Sequence, residues 1–152
     1  MRLVLYQPDI PQNTGAAIRV AACFGASLEI IEPCGFPLKA RELRRVAMDY
    51  GALAEPILHA SWAAFIALQG EGRRILMTTK AAEPLWGFRF QPGDAVILGR
   101  ESAGVPDEVH TAADARLFIP MAAGARSLNM ATAGAVALAE ARRQVGWGAV
   151  AS

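Results

Sequence analysis

No apolar run in this chain approaches the roughly 18 residues that a membrane-crossing helix needs. The longest, Met130 to Ala139, is broken by Thr132 and Gly134 and stops at Glu140. Charge is scarce as well: charged residues make up 19% of the 152, and the net charge is +1. So small a balance neither demands nor excludes a nucleic-acid partner, because the distribution of basic residues matters more than their sum. The two cysteines, Cys23 and Cys34, stand outside any CxxC or zinc spacing, and His59 and His110 are far apart with no acidic or cysteine cluster beside them. A metal site is therefore not expected, and both thiols read as reduced and half-buried in a cytoplasmic protein. The N-terminus runs straight into a strand pattern and lacks the shape of a signal peptide. GxGxxG is missing, and no Walker lysine follows the Gly99–Gly104 stretch, which weakens a generic nucleotide-binding reading.

What is present is apolar. Hydrophobic residues reach 53%, and mean hydropathy is +0.26. Two explanations stay open: a homodimer that buries further surface, or Ala-rich helices that inflate the figure. The length fits one domain over 1–152. Strand-like runs at Arg2–Tyr6, Leu28–Glu32, Arg74–Thr79, Ala95–Gly99 and Arg116–Ile119 alternate with helical patterns at Thr14–Phe24, 40–50, Trp62–Gln69 and Ser127–Val145. Ser61 is the expected cap of the Trp62 helix. Val-, Ile- and Leu-rich strands separated by helices predict an α/β fold, a mainly parallel sheet with helices on both faces. Ligands of such sheets bind beyond the carboxyl ends of the strands. That rule directs attention to 7–15, 79–87, 99–106 and 120–127.

Four stretches carry candidate chemistry. In Pro11-Gln12-Asn13-Thr14-Gly15-Ala16-Ala17-Ile18-Arg19, Asn13 is a candidate helix cap and Arg19 sits in an otherwise apolar helix. Such an arginine needs a polar or anionic partner, unless it snorkels at the helix edge. Leu98-Gly99-Arg100-Glu101-Ser102-Ala103-Gly104-Val105-Pro106 follows a buried strand and could wrap a flat ligand, or serve as a plain strand-to-helix turn. Ile119-Pro120-Met121 leads to Ser127-Leu128-Asn129-Met130, where Ser127 looks like an N-cap with free amides behind it. In that last helix Gly134 signals close approach by a ligand, a backbone or ordinary packing. Over 39–50, Leu43, Val46, Ala47 and Tyr50 share one helical face, while Arg41, Arg44 and Arg45 project from the other. That basic side is either a phosphate grip or a solvated face.

Taken together, N-T-G-A-A-I-R at 13–19, L-G-R-E-S-A-G-V-P at 98–106 and I-P-M…S-L-N-M-A-T-A-G-A-V-A at 119–137 resemble, in order and spacing, the SPOUT superfamily. Within it they resemble the SpoU/TrmH-type RNA ribose methyltransferases. The stretches 5–19, 30–36 and 43–50 extend the likeness to the minimal TrmL type, which methylates the wobble nucleotide of certain tRNAs, a cytidine or modified uridine. The resemblance implies a C-terminal trefoil knot, an obligate homodimer, S-adenosylmethionine (SAM) as cofactor and tRNA as partner. It assigns Met77, Gly99, Ile119 and Ser127 to SAM contact, and Asn13, Arg19, Glu101, Ser127 and Asn129 to the catalytic motifs. Many TrmL proteins carry Thr-Arg where this chain has Ser102-Ala103, and Arg100 is the nearest basic substitute.

The chemistry implied is transfer of an activated methyl to a ribose hydroxyl that is weakly nucleophilic until it loses its proton. A guanidinium gives up its proton only with great difficulty and is a poor base, so Arg19 is expected to donate hydrogen bonds to the oxygen and stabilise its charge while a phosphate or water takes the proton. Glu101 would orient Arg19 or the ribose; Asn129 and Ser127 would hold loop and substrate. Backbone around Gly99 and Ile119 would bind adenine, with Met77 lining its slot. The alternatives are a 2′-O-methyltransferase for another tRNA site or for rRNA, and a catalytically silent SAM- or RNA-binding module.

Overall fold

Strand β1 (Arg2–Tyr6) occupies the middle of a parallel sheet because both of its faces are apolar. The computed structural model describes residues 1–38, 45, 50, 55–81 and 83–147. After β1 come α1 (Pro11–Cys23), β2 (Ser27–Ile31), β3 (Ile57–His59), α2 (Trp62–Leu68), β4 (Arg74–Met77), β5 (Glu83–Pro84), a 3-10 turn (Leu85–Gly87), β6 (Ala95–Leu98), α3 (Asp107–Ala112), β7 (Ala115–Phe118) and α4 (Met130–Val145). The sheet has seven strands in the order β3-β2-β1-β6-β4-β7-β5, and every neighbouring pair is parallel. This is the expected α/β architecture. Among the described residues no helix is long and apolar enough to cross a membrane.

Side chains alternate between the two faces with the period of a strand. Leu3, Leu5, Ile30, Ile75, Val96, Leu98 and Leu117 face one core, which α1 and α4 close with Ala17, Ile18, Ala21, Ala137, Leu138 and Ala141. Val4, Tyr6, Ile31, Leu76 and Ile97 face the other, closed by Phe65 of α2 and Val109 of α3. Gly134 lets α4 lie close on the first face: a Cβ there would stand 2.9 Å from Leu98 Cδ1 and 3.4 Å from Leu3 Cδ1. Of the three readings left open for Gly134, the structure selects packing on the sheet. A charged cluster crosses the β1–β2–β3 edge. The buried carboxylate of Glu29 accepts from Arg2 Nε at 2.6 Å and Nη2 at 3.1 Å, and lies 2.7 Å from His59 Nε2. Pairing of this kind offsets the cost of burying the charge.

Several expected details change. Helix α1 begins at Pro11, ahead of the expected Thr14, because proline suits the first helical position. Asn13 is therefore inside the helix and is not its cap. Helix α4 is capped by Asn129, whose Oδ1 accepts from the amides of Ala131 and Thr132, and not by Ser127. Ser61 caps α2 as expected, accepting from Ala64 N. Strands β3 and β5 were not anticipated. The helix expected over 40–50 lies outside the described residues apart from Arg45, which is helical and exposed, and Tyr50. Both cysteines are free, but Cys23 is exposed instead of half-buried. Cys34 is half-buried, and burial, helped by the Glu32 carboxylate, pushes its thiol up to about 11.

Near its end α4 is tied to the chain between β5 and β6. Glu140 accepts from Arg143 Nε and Nη2 at 2.8 and 2.7 Å and from Gln144 Nε2 at 2.7 Å. Gln144 in turn donates to Phe88 O and accepts from Phe90 N, both at 2.9 Å. The Arg143 bonds first, then Gln144, pull the Glu140 carboxyl down to about 2. A carboxyl lowered on folding contributes stability that is whole above its ordinary value of 4.5 and is lost as pH falls towards 2. Arg143 is largely exposed, so solvent screening keeps the contribution small. Urea unfolding across that acid window is expected to show a steeper loss for the wild type than for Glu140→Gln. Parallel curves would remove Glu140 from the account.

Candidate active site

The carboxyl ends of β1, β6, β4 and β7 lie side by side, so the chain leaving each strand converges on one place. A cleft of about 420 Å³ opens there. Its floor is apolar, made by Leu76, Met77, Leu98, Val105, Phe118 and Met130. Asn13, Glu101 and Asn129 supply a polar side, and the chain at Gly99, Ile119, Met121 and Ser127 completes the wall. Such a cleft suits a ligand with a flat apolar part and a polar end.

The structure thus brings together Asn13, Met77, Gly99, Glu101, Ile119, Ser127 and Asn129, seven of the positions singled out above. It does not bring Arg19 with them. Arg19 is exposed on α1, is not among the residues lining the cleft, and sits 5.5 Å from the centre of the Tyr50 ring. Arg41 and Arg44 lie outside the described residues. Thr78 and Thr79, just past β4, also line the cleft; Thr79 opens the 79–87 segment named above, but neither residue is singled out in the sequence. The signal for them was their place just past a buried strand.

The loop after β6 is a tight hairpin. Arg100 N donates to Gly104 O at 3.0 Å, and Gly104 N returns to Arg100 O at 2.7 Å. Gly99 is demanded by this turn: a Cβ there would lie 2.9 Å from the Gly104 carbonyl carbon and 3.1 Å from Val105 Cγ1. The hairpin holds Glu101 toward the start of α1, where both carboxylate oxygens are occupied. Oε2 accepts from Asp9 N and Oε1 from Asn13 Nδ2, each at 3.1 Å. Asn13 Oδ1 accepts from Asn129 Nδ2 at 2.7 Å. One continuous set of bonds therefore runs from the hairpin through α1 to the cap of α4.

Two further contacts brace this set. Asp9 accepts a hydrogen bond from the Ser102 hydroxyl. The guanidinium of Arg100 is turned to the end of β1, donating from Nε to Gln7 O at 3.1 Å and from Nη2 to Gln7 Oε1 at 2.7 Å. Two of the Arg100 donor atoms, Nε and Nη2, are thus engaged within the protein, while Arg100 also lines the cleft.

Comparisons with known proteins agree with this geometry. The profile described as the SpoU rRNA Methylase family matches residues 1–139. A tRNA (cytidine(34)-2'-O)-methyltransferase of Beijerinckia indica is 53% identical over 146 residues, covering 95% of this chain and 91% of that protein. A solved structure reported as structural insights into the 2-OH methylation of C/U34 on tRNA is 43% identical, with a TM-score of 0.86 and 94% of each chain covered. The AdoMet-bound rRNA methyltransferase of Sinorhizobium meliloti is 29% identical with a TM-score of 0.80, covering 93% of this chain and 55% of that one. On its sequence, its parallel sheet and its cleft, the chain belongs to the SpoU rRNA methylase family.

Proposed function

We propose that this protein transfers the methyl of SAM to the 2′-hydroxyl of the wobble nucleotide of tRNA, position 34 in the names of its relatives, a cytidine or modified uridine. The observation that carries the reading is the bonded set Glu101–Asn13–Asn129 along one side of a cleft whose floor is apolar. The cleft fits the cofactor: it has the volume, and the backbone at Gly99 is bare because the turn admits no Cβ. Gly99, Ile119 and Ser127 would hold SAM, with Met77 against its flat ring. Its sulfonium supplies a methyl that needs no further activation.

The protein's own task is the ribose oxygen. Asn13, Glu101 and Asn129 brace the rim, and Asn129 and Ser127 steady the loop before α4 and the sugar. Arg19 donates hydrogen bonds to the oxygen and stabilises its growing negative charge, a preorganised electrostatic role. Remaining protonated throughout, it leaves the proton to a phosphate or water. Its place on the exposed side of α1 supports a homodimer in which Arg19 of one copy enters the cleft of the other. Gln12, Ala16, Arg19 and Cys23 recur on that exposed side at helical spacing, and small residues there permit close helix contact. Arg41, Arg44 and Arg45 are proposed to grip tRNA phosphates; replacing Arg45 should then flatten the salt dependence of tRNA affinity.

The trefoil knot is part of the same reading. The bonds from Gln144 to Phe88 and Phe90 support a passage of α4 beneath the segment between β5 and β6. A crystallographic trace with α4 outside that segment would remove it. The chain works as one domain over 1–152, in the cytoplasm with its substrate. Total tRNA from a strain lacking the gene, incubated with the protein and SAM, is expected to gain a 2′-O-methyl at position 34 on nuclease digestion and mass spectrometry. A methyl elsewhere, or none, would overturn the reading.

A further inference from the structure

Gln7 has a φ of +45°, the one non-glycine residue with positive φ among those described. It stands where β1 ends and the chain turns toward Asp9 and α1. A side chain in that left-handed region is strained, and it stays there only where its surroundings compel it. Here they do. Gln7 N donates to Ile31 O at 2.9 Å, and Gln7 Nε2 donates to Glu32 O at 3.3 Å. The Arg100 guanidinium then grips the other side, engaging both the carbonyl and the side-chain oxygen of Gln7. A planar fork suits two acceptors at once in a way an ammonium does not.

We infer that Arg100 is a positioning residue for methyl transfer, which clamps Gln7 in its left-handed turn and so sets the start of α1 against the hairpin that carries Gly99 and Glu101. The two halves of the cleft meet through few bonds: Asp9 N and Asn13 Nδ2 to Glu101, and Ser102 to Asp9. All of them depend on where residues 7–9 run. Releasing Gln7 lets that segment move relative to the hairpin. Small displacements in a site that must align oxygen, carbon and sulfur lower the rate of transfer more than the affinity for either substrate. The clamp therefore acts on kcat, while a direct RNA contact by Arg100 would act on KM for tRNA.

The role in transfer rests on the reaction proposed above, and the test separates the two. Arg100→Ala is expected to lower kcat about tenfold, with KM for SAM and for tRNA within about threefold of the wild type. Arg100→Lys, with one donor group for two acceptors, recovers only part of that loss. Glycine takes positive φ without steric cost, so adding Gln7→Gly to Arg100→Ala should restore about half of the lost rate on a logarithmic scale. No rescue by Gln7→Gly, a loss confined to KM for tRNA, or a fall in melting temperature with kcat unchanged would each overturn the clamp. If the wild-type chain transfers no methyl to tRNA, the proposed reaction fails instead. The clamp is then judged by amide exchange, which should quicken at Asp9 and Asn13 in Arg100→Ala and slow again with Gln7→Gly. Unchanged exchange there would sink it.

Discussion

Arg19→Ala is expected to lower kcat for tRNA methylation by about 10²–10³-fold, the cost of removing one donor aimed at a developing oxyanion. SAM affinity should stay close to the wild-type value, because Arg19 is not among the residues lining the cleft. Equilibrium binding of SAM and single-turnover methylation, measured on the same preparation, separate the two quantities. Unchanged turnover would end the catalytic role. In the dimer proposed above, a mixed pair of chains decides where Arg19 acts. If it serves the neighbouring copy, pairing an Arg19→Ala chain with one whose cleft is blocked leaves one complete site: an intact cleft facing an intact arginine. Activity well above either homodimer is the expected result. If Arg19 serves its own cleft, no complete site exists in the mixed dimer and activity stays at background.

That experiment is needed because periodicity does not tell what stands across from a helix face. The apolar pattern of α1 makes Arg19 conspicuous, yet it cannot say whether the arginine faces its own cleft or another molecule. Sheet strands were more legible. β1 and β6 are buried on both faces, so their composition alone marks them to within a residue. β3 and β5 escaped because each is too short to display a period, and Ile57 and Leu58 are half-exposed at the sheet edge.

Caps were legible in kind but not in place. Ser127 and Asn129 are both good N-caps, and only the observed bonds to the amides of Ala131 and Thr132 choose between them. Asn13 was misplaced for the opposite reason: Pro11 already starts the helix, which frees its side chain to join Glu101 to Asn129. The cleft itself was readable as a set of strand-following segments. What no local pattern contained was the bracing, since Arg100 and Gln7 are far apart in sequence and meet only in the fold.

Gly99→Val should remove detectable SAM binding, and with it all transfer. The argument does not depend on filling the cofactor's space. A single Cβ at Gly99 would come within 2.9 Å of the Gly104 carbonyl carbon and 3.0 Å of its Cα, both backbone atoms that cannot rotate aside. The hairpin must then open, and the mutual bonds between Arg100 and Gly104 lengthen or break. Opening displaces Glu101 from Asp9 and Asn13, so the polar side of the cleft is lost together with the floor at Val105. Overpacking of this sort costs about 1–3 kcal/mol locally, and far more in a site whose parts must agree to fractions of an ångström. Gly99→Ala carries the same Cβ against the same backbone atoms, so it too should lose most of its SAM affinity. Because the hairpin lies at the end of a strand and touches the second core only through the partly buried Val105, thermal unfolding should remain cooperative in both variants. Normal SAM affinity in Gly99→Val would mean that the cofactor is held elsewhere, and residues 99–105 would return to being a turn between β6 and α3.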